Sequence, residues 1–193
     1  MSVGGAPTLL GVPFDAASSF LRGAAAAPPL IREALRSPAS NMWTELGVDL
    51  AAPGALADEG DLAIDDALRG AELNGHQRAQ ADRFGVEVIE VIDMRAWSAG
   101  KRVVAPANSA AYLSIDCDAF DPAFAPGVSH REPGGLSPRD VLDAIQRLDA
   151  QIVGADVVEC NPSRDSAGVT AALCAKLVKE IAGRMTLAGP EAR

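Results

Sequence analysis

Two segments in the second half of the chain alternate with two helix-forming stretches, and that alternation limits the fold more than any other feature. Tyr112-Leu113-Ser114-Ile115 reads as a strand, and Ile152 to Val158 reads as another, interrupted at Gly154. Between them, Ser137-Pro138-Arg139-Asp140 has the form of a helix start, with a capping serine, a first-turn proline and a carboxylate three residues after the cap. Val141, Leu142, Ile145 and Leu148 make the apolar stripe of that helix. Beyond the second strand, Ala167 to Met185 reads as a helix with Val169, Leu173, Leu177 and Ile181 along one face and Gly183 near its end. Strand followed by helix, repeated, predicts an α/β fold, a three-layer α/β/α arrangement around a mainly parallel sheet. Ligands in such sheets bind at the carboxyl ends of the strands. The search for chemistry therefore narrows to residues just after each strand.

The first half carries weaker signals. Thr8 to Val12 is a short apolar run that reads as a buried strand leaving into a loop at Pro13-Phe14-Asp15. A helix is expected to start at Pro29, which needs no N–H there, and to run through Leu30-Ile31-Arg32-Glu33-Ala34-Leu35 until Ser37-Pro38 stops it. A short strand is expected around Asp58-Glu59-Gly60-Asp61. Helix after Gly75, a strand at Val86-Glu87-Val88-Ile89 and a helix from Asp93 to Lys101 complete the expected elements.

At 193 residues, 48% hydrophobic and 22% charged, the chain is long enough for one sizeable core, so a single domain over 1–193 is expected. The formal net charge is −9, with no local cluster of Lys and Arg. Such a chain repels phosphate backbones and anionic lipid, which argues against nucleic acid and membrane as partners and suits cations. No apolar stretch is long enough to span a bilayer, and no signal peptide is indicated. Cys117, Cys160 and Cys174 have neither metal-site nor redox spacing. Buried free thiols in a reducing, cytoplasmic setting are the expectation.

The chemistry concentrates after the first of the two late strands. In Ser114-Ile115-Asp116-Cys117-Asp118-Ala119-Phe120-Asp121-Pro122, Asp116 and Asp118 stand two apart, so their side chains share a side if the chain is extended. Adjacent carboxylates repel unless a cation lies between them, and Mn²⁺ or Mg²⁺ prefers such oxygen ligands. The competing possibility is a solvated Asp-rich loop with a turn at Asp121-Pro122.

The same stretch, continued through Ala123-Phe124-Ala125-Pro126-Gly127, resembles the late metal-binding motif of the ureohydrolase (arginase/agmatinase) family. Glu132-Pro133-Gly134-Gly135-Leu136-Ser137 and Gly154-Ala155-Asp156-Val157-Val158-Glu159-Cys160-Asn161-Pro162 extend the resemblance, and Leu10-Gly11-Val12-Pro13-Phe14-Asp15 with Gly23, Pro28, Ile31 and Arg32 matches more weakly. The resemblance implies an arginase-like fold and a Mn-dependent amidinohydrolase that cleaves a cationic guanidino compound, of agmatine or 4-guanidinobutanoate type, to urea and an amine. It implies two Mn²⁺ ions per site, Asp116 and Asp118 as metal ligands, and Glu159 as the carboxylate that holds the guanidinium. It places His130, in the variable run Val128-Ser129-His130-Arg131, in the loop that approaches substrate. It also implies a homo-oligomer.

The family's two central motifs, Gly-Gly-Asp-His-Ser and Asp-Ala-His-x-Asp, have no counterpart here, and they supply the remaining metal ligands. The sequence passes from a segment resembling the one before them, at Asp61-Leu62, to one resembling a segment well after them, at Phe84-Gly85-Val86. An internal deletion near 62–84 is the expectation. The alternative function is then a non-catalytic ureohydrolase remnant with an incomplete, weakly binding metal site. Neither His76 nor Asp15 carries a specific role on spacing alone.

Overall fold

The computed structural model describes residues 6–16, 18, 20–62 and 109–187. Four strands and three α-helices are found there, all of them expected from the sequence: β1 (Thr8–Gly11), α1 (Ala27–Leu35), β2 (Ala57–Asp61), β3 (Ala110–Asp116), α2 (Pro138–Arg147), β4 (Gln151–Val158) and α3 (Val169–Thr186). β1 pairs with β2 and β3 with β4, both in parallel. The expected elements at 71–101, His76 among them, lie outside the described residues.

Several boundaries move for identifiable reasons. α1 begins at Ala27 rather than Pro29, because Pro28 and Pro29 both fall in the first turn, where no N–H has an intrahelical partner. β4 continues through Gly154 as one strand, but its register with β3 shifts there, from Ala111 opposite Ile152 to Tyr112 opposite Gly154, so the expected interruption appears as an irregularity of pairing. A Cβ there would sit 2.9 Å from the Tyr112 ring on the paired strand, so this glycine makes room for a neighbour and does not end the strand. α3 starts at Val169, which is exposed and does not join the buried stripe of Leu173, Leu177 and Ile181. Gly183 lies in the last turn of α3, near its end as expected, where a Cβ would come 2.4 Å from Thr44 Cγ2. It also permits close approach of the 44–48 turn.

α3 is the hub. It packs against α1, α2 and β4, and it buries residues nearly all round its circumference, including the carboxylate of Glu180. That carboxylate accepts from the Glu45 N–H at 2.9 Å and pairs with Lys176 at 2.6 Å, so its charge is compensated where it would otherwise be costly. Glu45 in turn pairs with Arg139 of α2 at 2.8 Å, and its carboxyl is lowered to about 2 by that hydrogen bond, with Gln146 and Lys176 adding to it. On the other side, Arg32 of α1 pairs with Asp58 and Asp61 of β2. The apolar core joins Ile115 and Ile152 of the strands to Leu142 and Ile145 of α2 and Leu173, Leu177 and Ile181 of α3.

The start of α2 is as the sequence suggests. Ser137 and Asp140 form a reciprocal capping box, each side chain accepting from the other's backbone N–H. Replacing Ser137 by Ala should cost about 1 kcal/mol. Thermal denaturation should show a midpoint about 2–4 °C lower, and an unchanged midpoint would mean that the box contributes nothing.

Candidate functional site

β3 and β4 end level, with Asp116 registered opposite Val158. Asp116-Cys117-Asp118 and Glu159-Cys160-Asn161 therefore leave the sheet side by side. At each exit the cysteine turns inward and is buried, while the flanking acids lie toward the strand-end loops.

The chain does not stay extended through Asp118. Residues Cys117–Ala119 form a 3-10 turn, and the Asp116 carboxylate caps it by accepting the Asp118 N–H at 2.8 Å. Asp118 Oδ2 lies 3.2 Å from His130 Nδ1, while Asp118 Oδ1 is buried without a hydrogen-bond partner. Burial pushes the Asp118 carboxyl up, the negative charge of Asp116 adds to this, and the hydrogen bond from His130 opposes it. Glu159 behaves alike. Burial raises its carboxyl first, then the charges of Asp116 and Asp118, with His130 opposing. The carboxylates are thus close enough to repel one another, and among the described residues His130 opposes the rise of both.

Glu159 is also the only non-glycine residue with positive φ, at 63°, among the described residues. That conformation is sparsely populated for a long side chain and costs of order 1–3 kcal/mol unless its surroundings fix it. Sequence inspection had no signal for it. Phe20 of the first loop, also not foreseen, lies with its ring centroid 5.5 Å from that of His130.

Other candidates prove structural. Asp121 accepts from the Ala123 and Gly134 N–H groups, both at 2.8 Å, and closes the 121–134 loop. Gly135 lies where a Cβ would meet the backbone of Ala119, Phe120 and Asp121 at 2.7 Å, which accounts for the second glycine of its motif. Asp15 accepts from the Gly23 N–H at 2.6 Å and from Ala25, and so folds its own loop. All three cysteines are free and buried. Cys117 and Cys174 meet at 3.4 Å, and hydrogen bonding to Cys117 and Cys160 raises the Cys174 thiol.

A metal ion is the first cation to test here. The orphaned Asp118 Oδ1 and the raised carboxyls suit a positive charge. Yet no three His, Cys, Asp or Glu side chains among the described residues gather as a metal site requires. Mn²⁺ calls for about six mostly oxygen ligands. The described side chains meet the charge of such an ion but not its coordination.

The sequence profile of the arginase family matches residues 67–183. The chain belongs to the arginase family. Arabidopsis thaliana arginase 1, mitochondrial, is 32% identical over 279 aligned positions that cover 93% of this chain and 81% of the relative. That span is longer than the 193 residues of this chain, so the relative carries residues within it that this chain lacks. An agmatinase from Halalkalibacterium halodurans is 41% identical over 73 residues, 36% of this chain and 25% of the relative. The solved arginase from Medicago truncatula superposes with a TM-score of 0.79 at 28% identity, covering 96% of this chain and 89% of that one. The fold is therefore the arginase-like α/β fold. Among the described residues no helix is long and apolar enough to cross a membrane.

The electrostatics have a measurable consequence. Glu159 has a raised carboxyl in the folded chain, so its contribution to stability is present below the ordinary carboxylate range and is lost as pH rises through the raised value. Glu159→Gln should then raise the melting temperature at neutral pH without added ligand, by a few degrees for about 1 kcal/mol. The gain should shrink as the medium is acidified. A lower midpoint at neutral pH would contradict this electrostatic account.

Proposed function

We propose that this chain keeps the guanidinium-recognising end of an arginase-family site and binds a cationic guanidino compound there. The observation behind this is the set of mutually repelling carboxylates, Asp116, Asp118 and Glu159, with one buried carboxylate oxygen left without a donor. A guanidinium suits them because it is planar, always charged and rich in N–H donors, and it pairs with a carboxylate bidentately. Glu159 is the residue assigned to that pairing, and His130, paired with Asp118, lies beside Phe20. Charge also ranks the ligands. Agmatine carries two positive charges, arginine a net one, and 4-guanidinobutanoate none, so agmatine is the preferred ligand of this negative site.

Asp116 and Asp118 are assigned as the chain's carboxylate ligands for a divalent cation, held weakly because no further donors gather with them among the described residues. Binding without efficient turnover is accordingly the function proposed for the isolated chain. The missing central block is placed near 62–84. Self-association into a homo-oligomer and a reducing, cytoplasmic location, the latter supported by the three buried free thiols, belong to the same proposal. Family membership supports a second reading, turnover of the guanidino compound to urea and an amine.

Calorimetric titration with agmatine, arginine and 4-guanidinobutanoate, metal analysis and a urea assay with saturating Mn²⁺ separate the two. Agmatine should bind tightest, Glu159→Gln should weaken it roughly tenfold or more, and metal analysis should find well under one tightly held Mn per chain. Two tightly bound ions with urea release would establish the second reading, and no binding of any guanidino compound would refute both.

A further inference from the structure

We propose that Asn161 is a positioning residue that clamps three loops together and thereby holds Glu159 and His130 where a ligand would meet them. The inference rests on the guanidinium-binding reading for its ligand but stands on geometry of its own. Asn161 is fully buried, and it lies two residues after Glu159. Its backbone N–H donates to Gly127 O at 2.7 Å. Its Nδ2 donates to Arg22 O at 3.2 Å and to Ser129 Oγ at 3.3 Å. Its Oδ1 accepts from the Ser163 N–H at 3.2 Å and from Ser163 Oγ at 2.5 Å. Both ends of the amide are thus occupied, and they reach the first loop, the 127–131 loop and the turn after β4.

Each loop it grips carries something at the site. The first loop bears Phe20, the second bears His130, and the third begins at Glu159. The grip is close. At Gly23, whose φ is 136°, a Cβ would lie 2.2 Å from Asn161 Oδ1. Ser129 Oγ passes the contact on by donating to Leu21 O at 3.5 Å, and Arg164 Nε donates to Val128 O at 3.0 Å. The strained backbone of Glu159 needs such support, because left-handed geometry at a glutamate persists only where neighbouring contacts fix it. A buried amide with all its contacts made can do that, since losing any of them strands a polar group away from water.

The test uses the full chain with Asn161→Asp, which keeps the shape and replaces the Nδ2 donor by a carboxylate oxygen. Gly23→Ala serves as a second variant that disturbs the same clamp from the first loop. His76 and His130 are the only two histidines, so histidine-labelled NMR separates them once a His130→Asn variant has assigned the signals. The expected result is a shift of the His130 ring resonances with His76 unmoved, and agmatine affinity reduced roughly tenfold or more. General destabilisation of a still-folded chain would leave the His130 signals in place. If both variants keep wild-type His130 resonances and agmatine affinity, Asn161 positions nothing and the inference fails. Should Asn161→Asp not fold, Gly23→Ala carries the same comparison. If wild type does not bind agmatine, the guanidinium reading fails by itself, and the His130 shift still decides whether the clamp exists.

Discussion

The level ending of β3 and β4 is the constraint from which the site follows. Parallel pairing sets Asp116 opposite Val158, so both strands release their chains at the same height. The two exits then share one pattern, acid–cysteine–polar, read as Asp116-Cys117-Asp118 and Glu159-Cys160-Asn161. The side chains part at each exit. Cys117 and Cys160 enter the core toward Cys174 of α3, while the carboxylates remain at the strand-end loops, beyond the apolar core. A one-residue slip between the strands would break this division at both exits at once. The helix hub matters to function for the same reason: α3 supplies the thiol and the apolar wall against which the two cysteines are seated.

Local features were legible in the sequence, and tertiary ones were not. β1, β2, β3, β4 and the α2 capping box are set by neighbours within a few residues, so alternation and capping chemistry locate them. The motifs also located Asp116, Asp118, Glu159 and His130, and the structure brings these four into one electrostatic neighbourhood. The glycines were legible only in part. Gly154 marks a shift of register and Gly183 the last turn of α3, as local reading suggests, but each also faces a distant residue, Tyr112 or Thr44, that comes too near for a Cβ. Nothing within a few residues of either position encodes that.

The same limit explains what sequence inspection missed at the site. Asn161 appears as one polar residue before a proline, but its partners lie at Arg22, Gly127, Ser129 and Ser163. The convergence of three cysteines far apart in the chain is equally invisible to spacing. The left-handed Glu159 is the sharpest case, since glutamate has no local preference for that conformation. A strained residue at a motif position signals that its surroundings, rather than its own propensity, decide where its side chain goes.

The fold and a two-metal centre make different physical demands on a chain. The described fold rests on the parallel strands and the hub helix, with buried contacts between them. A two-metal centre needs many donors converging within a few ångströms, several of them from motifs that this sequence lacks. Among the described residues, Asp118 and Glu159 stand as partly buried carboxylates with raised proton affinity, which His130 opposes. Such a site is a standing electrostatic cost at neutral pH, and a bound cation would offset it. A guanidinium meets that need with far fewer convergent donors than Mn²⁺, because its charge is spread over a plane and its geometry is met by a single carboxylate pair of oxygens. The proposed guanidinium binding therefore asks less of the described donors than a two-metal centre would.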